Sequence, residues 1–215
     1  MTLTSQRQQP CRLSSACRRN KIVQIPVTAL LDQLYDLLAK TPHIVSLYAA
    51  KDSSFIPTLE AWLTQAEVVL EKNRQPQLAE IAALRAQLLA ASQAVYDKNA
   101  FIVPAISGHR KIFNASAAVI LSRAQSTLSG LHAAYLIRKE EAEKYLRQMI
   151  LISIQKNTFN QVWKSDMSIS AKLMSLWQSF CADNDLVQGT RQVLLSVHYV
   201  DALRLLGETI DDLKL

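Results

Sequence analysis

Apolar side chains recur along this chain at steps of three and four, the spacing that gathers one face of an α-helix. After Pro26, Leu30, Leu34, Leu37 and Leu38 form one stripe, which Pro42 ends. Ile44 to Lys51 is short and apolar and reads as a helical turn lying on the core. Ser53 or Ser54 is placed to cap the next helix, which tolerates Pro57 in its first turn and turns Phe55, Leu59, Trp62, Ala66 and Val69 inward. Pro76 then opens a helix with Leu78, Ile81, Leu84, Leu88, Ala91 and Val95 on one side. The link Asn73-Arg74-Gln75 is short enough to force the two helices antiparallel, so residues 54–97 are predicted to form a helical hairpin.

Residues 99–114 break the pattern, because Pro104 and Gly108 both interrupt a helix. This apolar loop carries Phe101, Ile102 and Ile106, too greasy for solvent, and they are expected to bury in the core or against a partner. From Asn114 onward comes the longest helical pattern. Ala117, Leu121, Ala124, Leu128, Leu131 and Tyr135 follow without a miss, and Ala142, Tyr145, Met149 and Ile152 continue the seam beyond Arg138. It predicts one long helix over about 115–157, roughly 60 Å at 1.5 Å per residue, bent or broken near Gly130 or Arg138. Residues 158–168 read as a connection. Helices follow over 170–182, with Leu173, Leu176, Trp177 and Phe180 inward, and over 186–213, with Val193, Val197, Val200, Leu203 and Leu206 inward. Leu194, Leu195 and Leu205 on the other side of this last helix suggest burial on two faces.

Composition agrees with that pattern. The 215 residues include 26 alanines and 31 leucines but only four glycines and six prolines, which favours helices and leaves little for β-turns. The expected fold is all-α: a bundle of five to six helices around one long central helix, as a single domain over 26–215. No charge-free run exceeds the 14 residues from Ala124 to Ile137, too few for a membrane span.

Charge adds a second layer. The net charge is +6, but residues 1–21 hold Arg7, Arg12, Arg18, Arg19 and Lys21 with no acid, and nothing acidic lies between Asp97 and Glu140. Residues 1–25 therefore read as a disordered basic tail, or as an organelle transit peptide given their Arg- and Ser-rich, acid-free make-up. The expected location is the cytoplasm, or an organelle matrix if that tail is a targeting signal. The basic central third (98–164) either pairs with acidic outer helices or faces a polyanion. Arg123, Arg138 and Lys139 are the residues expected on such a polyanion face. At its start, His109, Arg110 and Lys111 precede a helix for which Asn114 is a candidate N-cap. Unpaired N–H groups and the helix dipole there could hold a phosphate or carboxylate.

Other chemistry is thin. His43, His109, His132 and His198 are scattered, with no metal-ligand spacing, and the four glycines build no phosphate loop. Ser153 and Lys156 match Ser-x-x-Lys without its companion motifs. Cys181, beside Trp177 and Phe180, reads as core packing. No catalytic residue, metal or cofactor is expected. The leading functional reading is a non-catalytic helical scaffold that binds a protein partner or a second copy of itself. A nucleic-acid or polyanion binder comes second, its mark being affinity that falls steeply with salt. Third is an enzyme whose pocket inside the bundle gathers His132, Tyr135 and His198.

Overall fold

A computed structural model describes residues 26–93 and 109–214, and all its regular elements are helices. The tail (1–25) with Cys11 and Cys17, and the loop positions Phe101, Ile102 and Ile106, lie outside the described residues. In chain order the helices are α1 (Val27–Leu38), α2 (Thr41–Ala49), α3 (Phe55–Lys72), α4 (Leu78–Ser92), α5 (His109–Gln155), α6 (Thr158–Trp163), α7 (Ile169–Ala182), α8 (Val187–Ser196) and α9 (Tyr199–Asp212). The molecule is a helical bundle packed around α5, whose 47 residues make a rod of about 70 Å. No described helix is long and apolar enough to cross a membrane.

The first four long elements run up and down. Lys40 reaches Gln65 while Gln33 meets Asn73, so α1 and α3 are antiparallel. Thr127 bonds Glu80 while Tyr135 bonds Gln75, so α5 runs back along α4. Leu30, Leu34, Leu59, Leu63, Leu70, Ile81, Leu88, Ile120 and Leu128 close the first core between these helices. A second core forms at the other end of α5, where Leu146 and Ile150 meet Phe159, Leu176, Phe180, Val193, Leu205 and Leu206 of α6 to α9. There Gly189 of α8 lies so close to α5 that a Cβ would stand 2.7 Å from the Met149 sulfur.

Between the two cores α5 has a waist: between the buried Leu131 and Ala142 no side chain is fully buried, and Tyr135 packs half-buried against both cores. Among the described residues only α1 joins α5 in serving both ends. Leu30, Leu34 and Leu37 enter the first core and Val27 and Leu31 the second. Its N-terminus has no local side-chain cap, since Pro26 occupies that position. The missing cap comes from α9. Asp201, itself buried, accepts a 2.7 Å bond from the Val27 N–H and another of 2.7 Å from the Thr28 hydroxyl.

Several local expectations are corrected. The 158–168 connection contains α6, whose Phe159 is buried and stacks 5.3 Å from Trp163. The helix expected over 186–213 is two helices. Val197 is extended (φ −136°, ψ 160°), and the His198 Nδ1 accepts the Val200 N–H at 3.2 Å, starting α9 afresh. Because the chain turns there, Val200 and Leu195 face solvent rather than core. Neither Ser53 nor Ser54 caps α3; the Asp52 side chain accepts the Ser54 N–H at 2.8 Å instead. α5 passes Gly130 and Arg138 without a break. Cys181 is exposed, since the face of α7 holding Leu176, Trp177 and Phe180 turns away from it.

Helix ends are closed without glycine. Arg74 (φ 48°) and Lys51 (φ 55°) adopt the left-handed conformation, and the next N–H bonds back to Leu70 O and Leu47 O at 2.9 and 3.0 Å. These are the six-to-one bonds of the Schellman turn. A β-carbon in that region costs roughly 1–2 kcal/mol, offset here by satisfying carbonyls that would otherwise lack a donor.

Candidate interaction surfaces

The start of the basic stretch is not laid out as its sequence suggests. Helix α5 starts at His109, so Asn114 sits in its second turn, half-buried, and cannot serve as N-cap. No proline follows Gly108, and the α5 backbone continues from Asn114 back to His109. Lys111 is exposed in the first turn of α5, and His109 and Arg110 belong to the same turn. At about 100° per residue, Arg123 and Arg138 lie roughly 60° apart around the rod and Lys139 a further 100° on. Arg123 and Arg138 fall within one sector of the rod about 100° wide, and Lys139 lies outside it. Arg138 lies over the Tyr135 ring, 5.1 Å from its centroid, and Lys139 pairs with Glu143 at 3.4 Å.

One tie links the basic rod to an acidic outer segment. Lys156, at the end of α5, meets Asp183 at 2.7 Å and Asp185 at 2.6 Å in the α7–α8 connection. The bond from Lys156 and a second from the Asp185 N–H hold the Asp183 carboxyl below its ordinary value of 3.8, while the same two acids raise Lys156. A carboxyl lowered in the folded state contributes stability above its unfolded range and loses it as pH falls through the folded value. Asp183→Asn is therefore expected to melt below the wild type at neutral pH, the gap closing as pH drops below about 4. Circular dichroism melts across that window test this; a gap independent of pH excludes it.

At the waist a set of side-chain amides is held out of water. The Asn73 amide donates to Gln33 Oε1 at 2.9 Å and to Val69 O at 2.7 Å. Gln75 donates to Asn73 O at 2.8 Å and accepts from the Tyr135 hydroxyl at 3.2 Å. Asn73 and Gln75 are both buried, so this network ties α1, the α3–α4 turn and α5 together beside the stretch where α5 has no fully buried side chain. Tyr135 was legible in the sequence as a seam residue; Gln33, Asn73 and Gln75, which complete the network, carry no periodic signal.

The remaining residues singled out above have local roles. His198 caps α9, and the Tyr135 hydroxyl is engaged by Gln75. Ser153 is buried and donates to Ile150 O at 2.7 Å, while Lys156 turns to its aspartates, so Ser-x-x-Lys forms no pair. No three His, Cys, Asp or Glu side chains gather as a metal site among the described residues. A shallow groove of about 340 Å³ runs between α1 and α3, lined by Gln33, Asp36, Lys40, Thr64 and Val68 among others.

What does stand out is an apolar corner where α8 meets α9. Leu195 is 76% exposed, Val200 59% and Tyr199 40%, while Val197 between them is buried. The Tyr199 ring meets the buried Trp177 edge-on at 5.9 Å, so the corner is backed by the second core rather than by a mobile arm. Sequence reasoning counted Val200 and Leu195 as core because it ran one helix through residue 198. No protein-family model matches this chain, and neither a curated protein nor a solved structure is found similar to it.

Proposed function

We propose that this protein is a helical scaffold that works by binding another polypeptide, with the α8–α9 corner as its contact surface. The observation that supports this reading is the corner itself. Three large apolar side chains within six residues, Leu195, Tyr199 and Val200, project from a rigid turn whose fixed backbone costs little further ordering on binding. Each leaves water only if something covers it, at about 25 cal/mol per Å² of apolar area removed. Aromatic and aliphatic side chains presented from a packed base are the kind that dominate interface energies.

A photo-crosslinking residue at position 195, with one at exposed Glu71 as the control, identifies what touches the corner. The same partner is expected to be lost from Leu195→Ser/Val200→Ser, with the melting profile of the protein little changed because both side chains are already in water. Retention of that partner by the double variant, or crosslinks equal to those at position 71, overturns the reading.

A further inference from the structure

We infer that a second copy of this chain docks antiparallel on the outer face of α5 between Arg123 and Glu141. Arg123, Ser126, Gly130, Ala133, Ala134, Ile137 and Glu141 are all exposed, and at about 100° per residue they fall in one strip roughly 100° wide. Between its two charged ends this strip carries no charged side chain over nearly five turns, unusual for a helix face left to water. Ile137 in it is 56% exposed.

Gly130 sharpens the argument. A mid-helix glycine costs about 1 kcal/mol relative to alanine, and a close neighbour usually accounts for it. Here a Cβ at position 130 would meet nothing within 4 Å, so no contact among the described residues requires glycine. A second backbone crossing at this point would supply such a neighbour.

The ends of the strip select the occupant and its direction. A two-fold axis level with His132 sets Arg123 of each copy against Glu141 of the other and Gly130 against Ala134. A parallel pair would put Arg123 on Arg123 and Glu141 on Glu141. The guanidinium has five N–H donors, so a carboxylate from a second copy can join whatever Arg123 already bonds. One helix pair of this length is a small interface, and the expected dissociation constant is on the order of micromolar.

This association is separate from the α8–α9 corner, and sedimentation velocity over a rising concentration series tests the two apart. The full-length wild type is expected to pass from monomer to dimer. Gly130→Leu should remain monomeric while melting no lower than wild type, because the monomer has room for the side chain. Arg123→Glu should weaken the dimer more than tenfold, and adding Glu141→Arg should restore it. A wild type monomeric at every concentration, a Gly130→Leu that dimerises normally, or a charge swap that fails to restore overturns the proposal. Leu195→Ser/Val200→Ser should dimerise as wild type does; loss of the dimer there assigns self-association to the corner instead and also overturns it.

Discussion

Replacing Asp201 with alanine is expected to destabilise the protein by roughly 3 kcal/mol, a fall in Tm on the order of 10 °C for a chain of this size. The loss does not come from the volume removed. Asp201 is buried, and its two oxygens satisfy the Val27 N–H and the Thr28 hydroxyl, the first donors of a helix that has no cap of its own. Without them, two buried donors lose their partners, at about 1–3 kcal/mol each if no water replaces the acceptor. Arg204 loses a nearby negative charge as well. Asp201→Asn should fall between, since one carboxamide oxygen still accepts while its NH₂ confronts a donor. Thermal melts of the three proteins test the order, and hydrogen exchange at Val27 tests the cause: protection there should vanish in the alanine variant. An alanine variant that melts with the wild type, or keeps Val27 protected, would mean the bond from α9 holds nothing.

Glu140→Pro is the second change with a large expected effect. Residue 140 is exposed at the waist of α5, so the substitution removes no core contact. Proline inside a helix deletes one backbone bond and collides with the carbonyl four residues earlier, here that of Leu136, at about 3 kcal/mol or more. Because α5 carries the first core at one end and the second at the other, the break should also separate their unfolding. Trp62 reports on the first core and Trp177 on the second. Unfolding followed with single-tryptophan variants should coincide at the two sites in the wild type and in Glu140→Ala, and split in Glu140→Pro. After the break α1, fastened to α9 through Asp201, is the one described helix that still spans both cores. Coincident transitions in the proline variant would show that α1 alone couples them.

How far the chain could be read without coordinates depends on which interaction decides each element. The α3–α4 hairpin and the seam from Ala117 to Met149 were legible because burial of one face fixes a period, and a period survives in one dimension. Helix α6 has six residues, too few for any period to register. The stop at Val197 was hidden because neither glycine nor proline makes it; a histidine nitrogen does, by accepting one N–H. The glycine-free ends at Lys51 and Arg74 were equally silent, since nothing in either side chain announces a positive φ. At the N-terminal end of α5, Asn114 looked like a cap by residue type alone, a signal the five preceding helical positions override.

For the surfaces the balance is different. The stretch without acid between Asp97 and Glu140 is visible in the sequence, yet whether Arg123, Arg138 and Lys139 form one face depends on their angles around a continuous rod. The apolar corner was invisible for the converse reason: Leu195 and Val200 look like core residues until the chain turns between them.

By itself the sequence determined that this chain makes helices, roughly where they run, and that one of them is long, because local propensity and the burial of a stripe act over a few neighbouring residues. Tertiary structure alone decided that two cores share α1 and α5, and that Asp201 caps a helix beginning 174 positions earlier. It also decided that the amides of Gln33, Asn73 and Gln75 meet at the waist. Those contacts join residues with no common period, and a hydrogen bond between distant positions leaves no pattern along the chain.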